Sequence, residues 1–213
     1  MIIAVALVGC YILGSIPFGL IICKLVKGID IRDYGSGNIG TTNAQRILGT
    51  GPAMMVMVLD TGKGLAAVLV CAHLGLDASL TPWIVVAGAM LSILGHTFSV
   101  FLNFKGGKGV ATSLGVIIGL NWQIALIAFV GWILIVAVTR YVSIASILAS
   151  SSVPLQMVFW KSRQVPAAYQ VLAGVAALAI ILKHISNIKR LINGAEARFG
   201  QRVEVPEEPH MEE

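Results

Sequence analysis

The run IIAVALVGCYILGSIPFGLIICK, from Ile2 to Lys24, decides the class of this chain, because it carries no charged side chain before its last residue. At about 1.5 Å per residue a helix of that length crosses a hydrocarbon layer about 30 Å thick. The pattern recurs: apolar stretches occupy roughly 2–24, 52–75, 81–103, 109–120, 122–139, 142–160 and 166–183. The fourth, near Val110 to Leu120, is too short for a full crossing and reads as a short or re-entrant helix.

Charged residues make up 12% of the 213 residues and the mean hydropathy is +0.87, so too little polar surface is available for a water-facing globule. The expected fold is an all-α integral membrane protein, a compact bundle of about seven transmembrane helices, with half-loops forming a site at one end. Residues 1–203 read as a single polytopic domain, since no long linker and no repeat of 20 to 50 residues interrupts them. Residues 204–213 are acidic and proline-containing, which predicts a disordered tail that includes His210.

Basic residues set the expected orientation. Lys24, Lys27, Arg32 and Arg46 follow the first stretch, Lys105 and Lys108 the third, Arg140 the fifth, and Lys183, Lys189, Arg190, Arg198 and Arg202 the last. Only Lys161 and Arg163 lie between stretches on the other side. The positive-inside rule then puts the N-terminus outside and the C-terminus and the glycine-rich loops in the cytoplasm. The net charge of +5 is absorbed by this asymmetry and by attraction to anionic lipid or substrate, so nucleic-acid binding is not called for.

The first stretch lacks the basic start of a signal peptide, so it reads as a retained helix, and Leu7 to Cys10 is a coincidental lipobox match. Cys10, Cys23 and Cys71 lie singly in apolar segments and read as packing residues.

Three polar clusters gather on the expected cytoplasmic side. GSGNIGTTNAQR, Gly35 to Arg46, combines flexible backbone with hydroxyl, amide and guanidinium donors suited to phosphate or carbonyl oxygen. An ordinary polar turn is the plainer alternative for this segment taken alone. GHTFSVFLNFKGGKGVAT, Gly95 to Thr112, places Lys105, Gly106, Gly107 and Lys108 before an apolar helix, where free N–H groups and the helix dipole favour an anion. Its spacing is not that of a Walker A loop.

HISNIKRLINGAEARFG, His184 to Gly200, spaces His184, Asn187 and Arg190 for one helix face, with Glu196 following. Arg140 and Ser143 stand at another junction on the same side. D-x-x-K-G at Asp60 to Gly64 puts a carboxylate and an ammonium inside a span, where they must pair; structural pairing and site-building both remain open. His96, inside an apolar run, reads as a packing or supporting group, and His73 as neither.

Taken in order, GSIPFG (Gly14 to Gly19), GSGN-x-G-x-TN-x-x-R, D-x-x-K-G, GH…F-x-x-FKGGKGVAT and H-x-x-NI-x-RL-x-x-G-x-E resemble the bacterial membrane glycerol-3-phosphate acyltransferases that use acyl phosphate. The resemblance covers nearly the whole chain. It departs at Thr41, commonly Ala, at Ser99, frequently Pro, and at Arg198, often Lys. It implies acyl transfer from a long-chain acyl phosphate to the 1-hydroxyl of glycerol 3-phosphate, giving 1-acylglycerol 3-phosphate and phosphate, the first acylation of bacterial phospholipid synthesis. The enzyme would sit in the cytoplasmic membrane, take membrane lipid, glycerol 3-phosphate and acyl phosphate as partners, and need no cofactor, metal or obligate protein partner.

On that resemblance Arg46, Lys105, Asn187 and His184 are expected to hold glycerol 3-phosphate, with Arg190, Glu196 and Ser143 beside them. Ser36, Thr42, Asn43 and the region of Gly37, Asn38 and Gly40 are expected to hold the acyl-phosphate head, with Lys108 and the glycines of its loop nearby. Ser36, His184 and Asn187 are the expected catalytic residues. The base is open between His184, Glu196 and the substrate's own phosphate. With no G-x-S-x-G motif, direct transfer is preferred to an acyl-Ser36 intermediate. A phosphate-ester transporter is the alternative of another class.

Overall fold

The computed structural model describes residues 1–159 and 165–203; the expectations for Lys161, Arg163 and the tail 204–213 fall outside the described residues. Within them every long element is helical. The chain runs α1 (Ile2–Ser15), α2 (Phe18–Lys27), α3 (Thr41–Leu48), α4 (Thr50–Ala72) and α5 (Thr81–Thr97), then α6 (Val110–Leu120), α7 (Trp122–Thr139), α8 (Val142–Phe159), α9 (Ala167–Lys183) and α10 (Ile185–Ile192). Single 3-10 turns follow α2 and α5, at Ile31–Asp33 and Val100–Leu102.

Five segments are long and apolar enough to cross a membrane: α1 with α2, α4, α5 with its following turn, α7 and α8. Helix α9 joins them only together with α10, from which it is bent by 51°. Helix α6 has 11 residues, a rise of about 16 Å. It is the short element expected at 109–120, and about half the hydrocarbon depth.

Local chemistry accounts for the breaks. The first span bends at Ile16 and Pro17, where proline removes an N–H and strands the carbonyls before it. Between α6 and α7 the chain turns within one residue, since Asn121 Oδ1 accepts from the N–H groups of Gln123 and Ile124, both at 3.1 Å.

Close helix crossings hold the bundle together. A Cβ on Gly64 of α4 would fall on the Thr112 carbonyl oxygen of α6, and one on Gly115 of α6 would fall on the Thr61 carbonyl of α4. The crossing of α1 and α5 repeats this reciprocity, with Gly14 against Ser92 and Gly95 against Tyr11. Small residues thus let two pairs of backbones touch, the route to tight association where lipid removes most of the hydrophobic drive.

The polar core lies between these crossings. Lys63 Nζ sits 2.8 Å from Asp60 Oδ1 and donates at 3.1 Å to the Ile16 carbonyl, an acceptor at the Pro17 break that also takes the Phe18 N–H at 3.1 Å. Ser99 donates to the neighbouring Ser15 carbonyl at 2.5 Å. Of the two alternatives for D-x-x-K-G, structural pairing is therefore realised, although Asp60 also reaches a cavity wall.

Removing one buried partner strands the other charge at a cost of about 3 kcal/mol or more. Lys63→Met is expected to lower the unfolding temperature of the detergent-solubilised protein more than the double variant Asp60→Asn/Lys63→Met does. Equal losses in the two variants would show that no stranded carboxylate is formed.

Candidate active site

The connections after α2, α5, α7 and α9 converge on one end of the bundle. There a cavity of about 370 Å³ opens, within the range of about 300–1,000 Å³ usual for small-molecule sites. Ser36, Asn38, Gly40, Thr42, Arg46, Lys108, Ser143, His184 and Glu196 line it, so nine of the residues expected from the sequence meet in one place. Asn187 and Arg190 stand immediately behind them.

Three sequence segments supply this wall. Asn43 is fully buried and anchors the first loop, accepting from the Ser36 N–H at 2.8 Å and donating to the carbonyls of Ile31 at 3.1 Å and Tyr34 at 3.0 Å. It therefore acts by shaping the loop that presents Ser36, since its own donors and acceptor are taken. Helix α3 then turns Thr42 and Arg46 to the cavity. At the start of α6, Lys108 donates to Asn187 Oδ1, and Asn187 Nδ2 donates to Glu196 Oε1 at 2.7 Å. Arg190 Nε completes the chain with a 2.8 Å bond to Glu196 Oε2.

The electrostatics favour an anion. Arg46, Lys108 and Arg190 face a single carboxylate, Glu196, which leaves two positive charges in excess. Burial pushes the Lys108 ammonium down to about 8; Glu196 opposes the shift, and Arg190 and Arg46 add to it. For Glu196 burial disfavours the charged form, but hydrogen bonds from Asn187 and Arg190 outweigh it and hold the carboxyl below its ordinary range.

Burial, with Lys108 nearby, pushes His184 down to about 4, so the ring is neutral at physiological pH. Its Nδ1 lies 2.8 Å from the Ile180 carbonyl, an acceptor only, which puts the proton on Nδ1 and leaves Nε2 as the free acceptor. The Ser143 hydroxyl is buried beside Glu196, and Thr41 Oγ1 and Gln45 Oε1 on α3 are buried without a hydrogen-bond partner. All three residues line the cavity; Thr41 is one of the hydroxyl donors expected of the first loop, whereas Gln45 is not among the expected groups. Its signal lies in the helical spacing that puts it one turn from Thr41, as Arg46 is from Thr42.

Several expectations are corrected by this geometry. Lys105 is exposed and does not line the cavity, so the loop delivers Lys108 and not Lys105. The N–H groups of Gly106 and Gly107 are spent on the Thr97 and His96 carbonyls, at 3.1 and 2.9 Å, and do not face an anion. The Gly37 and Gly40 N–H groups are likewise bonded, to the Tyr34 carbonyl at 3.1 Å and to Asn38 Oδ1 at 2.9 Å. Arg140 points to the Phe199 carbonyl at 3.0 Å, holding the segment after α10 against the mouth of the cavity.

Beyond its polar mouth the cavity becomes apolar. Its inner walls are Ile117 of α6, Phe129 and Trp132 of α7, Val153 of α8, and Leu172 and Ala176 of α9. From His184 to Leu172 the axis of α9 covers about 18 Å, so the groove runs well into the hydrocarbon layer. Among the described residues no group of three or more His, Cys, Asp or Glu side chains is gathered to hold a metal ion.

A polar, cationic head on an apolar groove suits an amphiphile with a phosphate, and comparisons with known proteins point the same way. The family model described as glycerol-3-phosphate acyltransferase matches residues 4–194. A glycerol-3-phosphate acyltransferase of Synechococcus sp. (strain JA-3-3Ab) is 44% identical over 197 residues, covering 92% of this chain and 93% of the relative. One of Brucella canis is 42% identical over the same coverage. The crystal structure of PlsY (YgiH), an integral membrane glycerol 3-phosphate acyltransferase, in its glycerol 3-phosphate form superposes with a TM-score of 0.85. It is 41% identical and covers 93% of this chain and 96% of that one. A lysophosphatidic acid form of the same enzyme gives 0.82 at 38% identity. With the match spanning almost the whole chain and the polar clusters meeting at one cavity, the chain belongs to the PlsY family of integral membrane glycerol-3-phosphate acyltransferases.

Proposed function

We propose that this enzyme transfers a long-chain acyl group from acyl phosphate to the 1-hydroxyl of glycerol 3-phosphate, at the cytoplasmic face of a bacterial inner membrane. The observation that carries the proposal is the junction of a doubly cationic pocket with an apolar groove. A donor with a phosphoryl head directly on its acyl carbon places the reacting carbon at that junction. Lysophosphatidic acid, found with the solved relative, is the expected product.

Arg46, Lys108 and Arg190 neutralise the two phosphoryl groups as they approach one another, and Ser143 supplies a hydroxyl to the acceptor. Ser36 and Thr42 donate to the acyl-phosphate head and to the oxyanion that develops at its carbonyl. Asn187 and Glu196 keep Lys108 and Arg190 in register. No covalent intermediate is needed, because two bound substrates held in line already remove most of the entropic barrier.

The hydroxyl proton goes to the phosphate leaving group. A histidine held near 4 is a weak base, whereas phosphate monoanion and dianion exchange near pH 6. Glu196 is occupied by Asn187 and Arg190. His184 then orients the acceptor through Nε2, and His184→Gln is expected to raise the KM for glycerol 3-phosphate about tenfold or more while keeping measurable kcat. A complete loss of kcat with unchanged KM would make the imidazole the base.

Purified enzyme in proteoliposomes should convert labelled glycerol 3-phosphate into lipid with acyl phosphate and not with acyl-CoA or acyl carrier protein. Labelled uptake without covalent product would overturn the enzyme reading, and equal use of acyl-CoA would overturn the donor assignment.

The charge on Lys108 is present below about pH 8 and lost as pH rises through it. Substrate phosphate is mainly dianionic above about pH 6, so kcat/KM should peak between these values and fall on the alkaline side. Lys108→Arg keeps its charge there. Its pH profile is expected to lose the alkaline limb even if its maximum is lower; an unchanged limb would assign the titration to another group.

A further inference from the structure

His96, on α5, lines the same cavity as Lys108 and touches the loop that delivers it. It is 4% exposed. Its Nδ1 faces Asp60 Oδ1 at 3.6 Å, and its main-chain carbonyl accepts the Gly107 N–H at 2.9 Å, while the adjacent Thr97 carbonyl accepts that of Gly106 at 3.1 Å. A Cβ on Gly107 would lie 2.9 Å from Cε1 and 3.0 Å from Cδ2 of the imidazole, and nearer still to Nε2. Gly107 is therefore seated on the ring, and the next residue is Lys108.

We propose that His96 is a positioning residue for Lys108: the imidazole, packed beside Asp60, is the seat on which Gly106 and Gly107 rest so that the Lys108 ammonium enters the anion site. Each link is a contact between named groups. Asp60 is itself held by Lys63, which is bonded to the Ile16 carbonyl, so the seat is tied to the break in the first span. Two backbone hydrogen bonds and one ring face restrain the loop, and no residue larger than glycine fits at 107 without displacing it. At the far end Lys108 meets Asn187, so a shift of the loop separates it from the cationic cluster.

This role rests on the reading of Lys108 as a phosphate ligand, and the test separates the two. Binding of inorganic phosphate to the detergent-solubilised enzyme is measured by calorimetry for His96→Ala and Gly107→Ala, each in the wild-type and the Lys108→Met background. The expected result is a weakening of about tenfold by either change when Lys108 is present and of no more than about twofold when it is absent, a strong coupling for groups in one network. His96→Gln, whose amide reaches the Nε2 position beside Gly107, should recover most of the affinity.

A general packing role would weaken binding equally in both backgrounds, and that outcome overturns the proposal. If His96→Ala does not fold, the Gly107→Ala cycle decides by the same criterion. Unchanged phosphate affinity in Lys108→Met would overturn the phosphate role of Lys108 and with it that of His96. Loss of affinity in Lys108→Met without coupling to His96 or Gly107 overturns only the positioning role.

Discussion

Asp60 and Lys63 impose the constraint around which the bundle is arranged, because two charges inside a membrane protein must find each other and further partners. Their spacing of three residues places both on one side of α4. That side is met by the break in the first span and by α5, and each neighbour supplies what the pair lacks. The break offers the Ile16 carbonyl to Lys63, and α5 offers His96 to Asp60. Carbonyls at a proline break need partners in an apolar medium, and that of Ile16 takes the Phe18 N–H as well as the Lys63 ammonium. The ion pair and the break are thus joined at one carbonyl.

The glycine crossings turn this local solution into a cavity. Gly64 and Gly115 bring α4 and α6 into backbone contact, and Val116 and Ile117 of the short α6 enter the core beside them. Its N-terminus then lies at the polar mouth, with Lys108 immediately before it. On the opposite wall α8 and α9 present mainly alanine and serine, including Ser146, Ala149, Ala173 and Ala176, which are too small to fill the space they face. A groove is left where larger side chains would have closed the core.

Much of this was legible in the sequence, and the reasons for the rest are physical. Long apolar runs locate helices well because a membrane leaves few other options, so the bounds of α4, α7 and α8 fall within a few residues of expectation. The short α6 was legible from its length alone. That the three polar clusters, which follow the first, third and last apolar stretches, share one end followed from alternate crossing. Which atoms of those segments face inward did not follow, because a glycine-rich loop written linearly does not say which amides its own turns consume. Lys105 and Lys108 look equivalent in sequence, but only Lys108 is carried inward by glycines that bond the end of α5. Asn43 looked like a ligand for the same reason, and its three bonds go to its own loop.

The placement of the charges at the mouth, and not deeper, follows from the energetics of the proposed substrates. Carrying a phosphate dianion to the depth of Leu172 would require full desolvation, and an isolated pair of cations there would not repay it. At the helix ends the same cations keep partial contact with water, and burial moves Lys108 only to about 8, so it remains mostly charged at neutral pH. The acyl chain has the opposite preference and gains by moving inward. On the proposed reaction, a donor that joins the two groups at one carbon would be held across this boundary, with that carbon at the junction of polar mouth and apolar groove. Opposed solvation of the two ends orients the donor before any hydrogen bond to its carbonyl is made, and the site needs only to place an acceptor hydroxyl at the same boundary.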